Sequence, residues 1–175
     1  WGIVVKELLI IIPAYNEGKN IESLLDVLCT DKFISFADIL IVNDASKDST
    51  REVVSSYNVI LLNNIFNLGY GSSLQAGYKY AVKNGYKYII QLDADGQHDV
   101  ENIMNIYEAL ITKSCEGKRP DIVIGSRFLE GGKSFKISKL KKISMNWFCF
   151  LIKIATGKKI TDPTSGLQGL NRDAF

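Results

Sequence analysis

Asp93 and Asp95 are two carboxylates one residue apart, directly after the apolar run Tyr88-Ile89-Ile90-Gln91-Leu92. In an extended segment residues i and i+2 project to one side, so the pair can share a hard cation such as Mg²⁺ or Mn²⁺. An ion held by two carboxylates keeps open positions for phosphate oxygens. Asp-Gly sequences also serve as turns and caps. Two acids at the end of a buried strand repel without a counter-ion, however, which favours a cation. Two other acidic motifs fail. An EF-hand loop needs Glu at its twelfth position, where Met104 stands, and an Asp-x-Asp-Gly-Thr phosphatase motif has its Thr replaced by Gln97.

Other polar signatures accompany this pair. Asp44, in Asn43-Asp44-Ala45-Ser46, can accept a hydrogen bond from a nucleobase N–H or act as a turn residue, and Tyr15 can pack on a nucleoside. Asn67-x-Gly69-x-Gly71 lets backbone N–H groups approach a diphosphate at a helix start. It is not a dinucleotide fingerprint, because Leu74 occupies the third glycine's place. Arg127 suits a phosphate or a surface ion pair. His98, the sole histidine, suits an ordering role in its loop, and Tyr78, Tyr80, Tyr86 and Tyr88 suit the core.

The elements that must position these residues alternate. Leu8–Ile12 reads as a buried strand stopped by Pro13. Ile21, Leu24, Leu25 and Leu28 form one face of a helix capped by Asn20. Ile39–Val42 is a second strand, and Ser49-Thr50-Arg51-Glu52 reads as a capping box. Val59–Leu62, Tyr88–Leu92 and Ile122–Ile124 are further strands. Between them lie one helix with Leu74, Tyr78 and Ala81 inward and another, capped by Asp99, with Ile103, Ile106, Tyr107 and Leu110 inward. Apolar strands separated by helices predict an α/β fold: a Rossmann-like, mostly parallel sheet with helices on both faces. Ligands of such sheets bind beyond the carboxyl ends of the strands, where every polar signature falls.

The 175 residues suit a single domain, and 46% hydrophobic with 23% charged residues excludes disorder, collagen and coiled coil. A net charge of +2 is too weak a bias to point to nucleic acid. No apolar run reaches the ~18–20 residues that span a bilayer. The opening Trp1-Gly2-Ile3-Val4-Val5 is read as carrying no signal peptide, and Cys29, Cys115 and Cys149 are read as buried thiols of a reducing compartment. From Gly131 to Thr161 there is no Asp or Glu, but there are eight lysines. Ile137, Leu140, Ser144, Trp147, Leu151 and Ile154 step by three and four, widened by Phe148 and Phe150. Such a helix suits an anionic membrane surface through residues 136–155, or ordinary packing with a solvated lysine face.

Together these pieces resemble the family 2 glycosyltransferases of the GT-A fold. The matching runs are Ile11 to Glu17, Val42 to Thr50, Asn67 to Gly71 and Asp93 to Gln97. Gly125-Ser126-Arg127-Phe128, the basic helix and Thr161-Asp162-Pro163-Thr164-Ser165-Gly166 resemble the dolichol-phosphate mannosyltransferase and polyprenyl-phosphate glycosyltransferase branch. The resemblance implies that Pro13, Tyr15, Glu17 and Asp44 hold the nucleoside of a UDP- or GDP-sugar. It implies that Asp93 and Asp95 bind Mg²⁺ or Mn²⁺ on the diphosphate, with Gly69, Gly71 and Ala94 on the donor and Gln97 near the sugar. Arg127 would contact phosphates, and Lys141 or Lys142 a lipid phosphate. Gln168 departs from the Arg that this branch often carries after its Ser-Gly-aromatic motif.

The implied reaction is an inverting, metal-dependent transfer of a sugar to a polyprenyl phosphate, an acceptor already ionised at neutral pH. Transfer to a saccharide hydroxyl would need a carboxylate base, for which Asp162 is the candidate. A nucleotide-binding module without turnover is the non-enzymatic alternative. Such enzymes usually continue beyond this motif, so residues 1–175 are expected to be one catalytic domain truncated at the C-terminus. The expected location is the cytoplasm, peripheral on the membrane face, with membrane segments in the full-length protein.

Overall fold

The computed structural model describes residues 6–95, 100, 102–113, 117–126, 139–157, 161–162 and 165–175, with 139–146 and 156 described by backbone alone. In chain order the elements are β1 (Leu8–Ala14), α1 (Gly18–Leu28), α2 (Asp31–Ile34), β2 (Ala37–Asn43), α3 (Thr50–Ser55) and β3 (Ile60–Asn63). They continue with α4 (Tyr70–Asn84), β4 (Tyr88–Gln91), α5 (Asn102–Ile111), β5 (Ile122–Ile124), α6 (Lys139–Thr156) and β6 (Gln168–Asn171). The six strands form one sheet in the order β3-β2-β1-β4-β6-β5. β1, β2, β3 and β4 pair in parallel, and β6 runs antiparallel to both β4 and β5.

β1 is buried at every position because it carries helices on both faces. Leu8, Ile10, Ile12 and Ala14 pack with Ile21, Leu25 and Leu28 of α1 and Ile103, Ile106 and Leu110 of α5. Leu9 and Ile11 point the other way, with Leu40 and Val42 of β2, and meet Leu74 and Ala81 of α4. Gly77 permits that close approach, since a β-carbon there would lie 2.5 Å from Ile11 Cγ2. The inward tyrosines behave as the pattern predicts: Tyr86 and Tyr88 are buried, and Tyr78 and Tyr80 pack against the α4-side core.

Several local expectations are corrected. Pro13 does not stop β1: the strand runs through it to Ala14, with Pro13 opposite Val42. Ile11 C=O faces β4, accepting from Leu92 N at 3.0 Å, so the ring nitrogen of Pro13 faces the same side. The β1–β4 pairing ends at Ile11 opposite Gln91, so the proline costs the ladder no bond.

Asn20 lies inside α1 rather than capping it; Glu17 holds the N-cap position, and Asn20 Nδ2 donates to Glu17 Oε2 at 2.8 Å. The capping box at Ser49 and Glu52 does not form either. Ser49 makes no cap bond, and Asp48 accepts instead from the Gly18 and Thr50 N–H groups, each at 3.0 Å. One carboxylate thereby serves the starts of both α1 and α3. The expected cap at Asp99 lies outside the described residues.

The strand β6 was not expected, because Gln168-Gly169-Leu170-Asn171 has no apolar run. It forms because β4 and β5 each offer a free edge, and Gly169 lets α5 cross it closely. A β-carbon at 169 would lie 2.4 Å from Ile106 Cγ2. Cys29 and Cys149 are free and half-buried rather than buried. Burial, with help from the Asp26 charge, raises the Cys29 thiol pKa. Cys115 lies outside the described residues.

Candidate active site

The crevice follows from the strand order. The chain moves outward from β1 to β2 and β3, then returns to place β4 on β1's other side, so the connections diverge between β1 and β4. Past Ile11 and Gln91 the two strands separate, one into Pro13-Ala14-Tyr15, the other into Asp93-Ala94-Asp95. Between them opens a cleft of about 790 Å³. Pro13, Ala14, Tyr15 and Glu17 line it from the β1 side, with Asp44 after β2. Asn67, Gly69, Tyr70 and Ser73 contribute from the entry to α4, and Gln91, Asp93, Ala94 and Asp95 from the end of β4. Ser165, Gly166 and Gln168 also line it among the described residues.

Asp93 and Asp95 do face one space, although not as strand alternation predicts. β4 ends at Gln91, and the acids lie in the following turn. Ala94 between them is 4% exposed and joins the core, which leaves its two neighbours on the cleft side. Asp93 Oδ1 accepts from the Tyr70 hydroxyl at 2.7 Å. Burial and this hydrogen bond push the Tyr70 phenol pKa far above its ordinary value, so it remains a donor. The other side of the Asp93 carboxylate rests against Gly166, where a β-carbon would fall 1.7 Å from Oδ2. The glycine is a cradle for that carboxylate. Hard oxygen donors on a fixed carboxylate, with a second carboxylate two residues away, fit a divalent cation. Among the described residues no three His, Cys, Asp or Glu side chains gather as a metal site.

Asp44 is 3% exposed and holds the glycine turn. Its Oδ1 accepts from Leu68 N at 2.9 Å and from Asn64 Nδ2 at 2.7 Å, and its Oδ2 accepts from Gly69 N at 2.8 Å. Burial works to raise the carboxyl pKa, but the hydrogen bonds from Leu68, Asn64, Gly69 and Ser73 outweigh it and hold the pKa below the usual value. Gly69 sits at φ +87°, a backbone that an L side chain rarely adopts. Of the two roles envisaged at position 44, the turn role is the one formed, by a side chain that also lines the cleft.

The first two loops are laced together. Asn16 and Ala45 both adopt positive φ, near 56° and 57°. Asn16 N donates to Ser46 Oγ at 3.0 Å, and Lys47 N donates to Asn16 Oδ1 at 2.8 Å. Glu17 N donates to Thr50 Oγ1 at 2.9 Å. Tyr15 and Glu17 are therefore presented by a braced backbone.

Not every sequence candidate reaches the cleft. Gly71, one residue further into α4, is not among its lining residues. Asp162 is fully buried and also absent from the wall, although Ser165 and Gly166 that follow it are present. Arg127, Gln97 and His98 lie outside the described residues, as do the side chains of Lys141 and Lys142. Sequence reasoning missed the contacts of Tyr70 and Gly166 with Asp93. Both residues stand in motifs already noted, but neither pairing has a signature in sequence spacing.

The glycosyl transferase family 2 model matches residues 9–175. A dolichyl-phosphate beta-glucosyltransferase of Trichomonas vaginalis is 33% identical over 94% of the chain and 51% of its own length. An undecaprenyl-phosphate mannosyltransferase of Micrococcus luteus is 31% identical over 95% of the chain and 67% of its own length. The chain thus spans about half to two thirds of the length of these curated relatives. Glucosyl-3-phosphoglycerate synthase of Mycobacterium tuberculosis, solved with UDP, superimposes with a TM-score of 0.69 at 16% identity, covering 96% of this chain and 57% of that one. Its complex with Mn²⁺, UDP-glucose and phosphoglyceric acid gives 0.67, at the same identity and coverage. That likeness identifies the fold as GT-A.

Proposed function

Because the chain belongs to glycosyl transferase family 2, we propose that it moves a sugar from a UDP- or GDP-sugar to a polyprenyl phosphate, with a divalent cation and with inversion at the anomeric carbon. The observation that carries this reading is the convergence of Asp93, Asp95 and the Gly69 turn on one cleft. Pro13, Tyr15 and Glu17 would bind the nucleoside, and the start of α4 the diphosphate. Asp93 and Asp95 would hold Mg²⁺ or Mn²⁺. Bound there, the cation supplies charge stabilisation to the departing diphosphate. A lipid phosphate oxygen attacks the anomeric carbon as its bond to the diphosphate breaks, and nucleoside diphosphate leaves.

A phosphate acceptor needs no general base at neutral pH. The burial of Asp162 supports this acceptor over a saccharide hydroxyl, which would need Asp162 within reach of the cleft. Further support comes from α6. Its described side chains expose Trp147 (64%), Phe150 (57%) and Ile154 (67%), in a stretch of sequence without acids. That chemistry suits a helix lying on an anionic lipid surface, which would place the protein at the cytoplasmic membrane face. No described helix is long and apolar enough to cross a membrane.

The test is a thermal-shift panel of UDP and GDP with and without Mn²⁺, followed by transfer of labelled sugar to undecaprenyl or dolichyl phosphate. Mn²⁺-dependent stabilisation by one nucleotide and label in the lipid phase are expected. Binding without any transfer, in the full-length protein, would favour a non-catalytic nucleotide module.

A further inference from the structure

Tyr70 opens α4, lines the cleft and is 50% exposed, yet its hydroxyl is committed to Asp93 Oδ1 at 2.7 Å. An exposed tyrosine gains little by burying its ring, so this placement asks for another reason. The backbone that carries Tyr70 is itself held. Gly69 N and Leu68 N both donate to the buried Asp44, and Ser73 N donates to Gly69 O at 3.1 Å in the first turn of α4. On the far side of Asp93, Gly166 leaves no room for the carboxylate to swing toward β6. The Asp93 carboxylate is thus clamped between a phenol anchored on one loop and a backbone cradle on another.

We propose that Tyr70 is a positioning residue, whose hydroxyl fixes the orientation of Asp93 so that the carboxylate is ready for a divalent cation. The inference rests on the reading of Asp93 and Asp95 as cation ligands. Its physical basis is the cost of ordering. A free carboxylate samples several rotamers and must be immobilised when the ion binds, whereas a hydrogen-bonded one is already placed. Outer hydrogen bonds of this kind are worth about 10–100-fold in metal affinity. A carboxylate oxygen has two lone pairs, so accepting from a phenol does not by itself stop it from serving a cation. The arrangement also links the glycine turn to the acidic pair through one side chain.

The variant that isolates the hydroxyl is Tyr70→Phe, which keeps the ring and the α4 start. Binding of MnCl₂ is followed by electron paramagnetic resonance of the free ion, with saturating UDP or GDP, whichever the wild-type protein binds. Nucleotide affinity without metal is measured alongside by calorimetry. The expected result is a Mn²⁺ affinity lower by about tenfold or more, with metal-free nucleotide affinity and melting temperature unchanged. Unchanged or tighter Mn²⁺ binding would overturn the proposal, the latter by showing that the phenol competes with the ion. Equal weakening of Mn²⁺ and of metal-free nucleotide would also overturn it, by showing a general support of the turn. If the wild-type protein binds no Mn²⁺ with either nucleotide, the acidic pair is not a cation site and the inference falls with that reading.

Discussion

The carboxylate of Asp93 rests on the α-carbon of Gly166, so closely that position 166 has no space for a side chain on that face. The two residues are far apart in sequence and come together because β6 returns beside β4, with Gln91 opposite Gln168. The segment entering β6 therefore helps decide where an acid at the end of β4 can point.

Gly166→Ala tests that relationship. The atoms in the way belong to a side chain, so Asp93 can yield and the fold should lose no more than about 1–3 kcal/mol, the usual range for overpacking. Displacing the carboxylate should lower Mn²⁺-dependent binding of nucleoside diphosphate by about tenfold or more. Calorimetry with and without Mn²⁺ reads both effects, and an unchanged metal-dependent affinity would show that the cradle is dispensable.

Replacing either acid should separate chemistry from stability. Asp93→Ala and Asp95→Ala are each expected to abolish the Mn²⁺-dependent part of nucleotide binding. Their melting temperatures should fall by no more than a few degrees, since relief of like-charge repulsion works against the loss of contacts such as the bond from the half-exposed Tyr70 hydroxyl to Asp93. Metal-dependent affinity surviving in Asp93→Ala would move the cation elsewhere.

Asp44→Ala should act on stability as well as binding. Its carboxylate accepts from Leu68 N, Gly69 N and Asn64 Nδ2, half-buried bonds to a charged group whose joint loss should cost about 1–3 kcal/mol in all, since the freed donors can reach water. The lowered carboxyl pKa sets the sign of the pH dependence. In the folded protein Asp44 stays ionised to lower pH than in the unfolded chain, so its contribution is complete above about pH 4 and fades as pH falls further. Chemical denaturation from pH 7 to pH 3 should show the gap between parent and Asp44→Ala narrowing at the acid end. Because the Gly69 turn depends on Asp44, pyrophosphate and the whole nucleotide should both bind more weakly. Loss confined to the nucleotide would instead give Asp44 a direct bond to the base.

The exposed aromatics of α6 make a separate prediction about lipid. With Trp1→Phe in place to remove the second indole, Trp147 emission should shift to the blue on adding anionic vesicles. Each lysine near the surface contributes about 1 kcal/mol to such binding. The shift should vanish at high salt, where the Debye length contracts to about 3 Å at 1 M. No shift at low salt would remove the main physical support for a lipid-borne acceptor.

The alternation of β1 to β5 with helices, the two-faced burial of β1 and the polar motifs that follow β1 to β4 were legible in the sequence. Those features depend on local periodicity, and apolar runs such as Leu8–Ile12 can only be buried between helices. The pairing of Asp93 with Asp95 was legible too, because two residues of separation survive a change from strand to turn once Ala94 is drawn into the core. Tertiary structure decided the rest. Whether Pro13 ends a strand depends on where β4 stops pairing, and whether Ser49 caps α3 depends on Asp48 being shared with Gly18. Gln168–Asn171 becomes a strand because β4 and β5 leave a gap of one strand's width, not because its residues prefer one. The partners of the functional carboxylates belong to the same class. Asp44 with Gly69, Tyr70 with Asp93 and Asp93 with Gly166 join segments 23 or more residues apart. Spacing along a chain carries information only about neighbours within a helix turn or a strand. Contacts across a crevice exist only after the sheet has set its order.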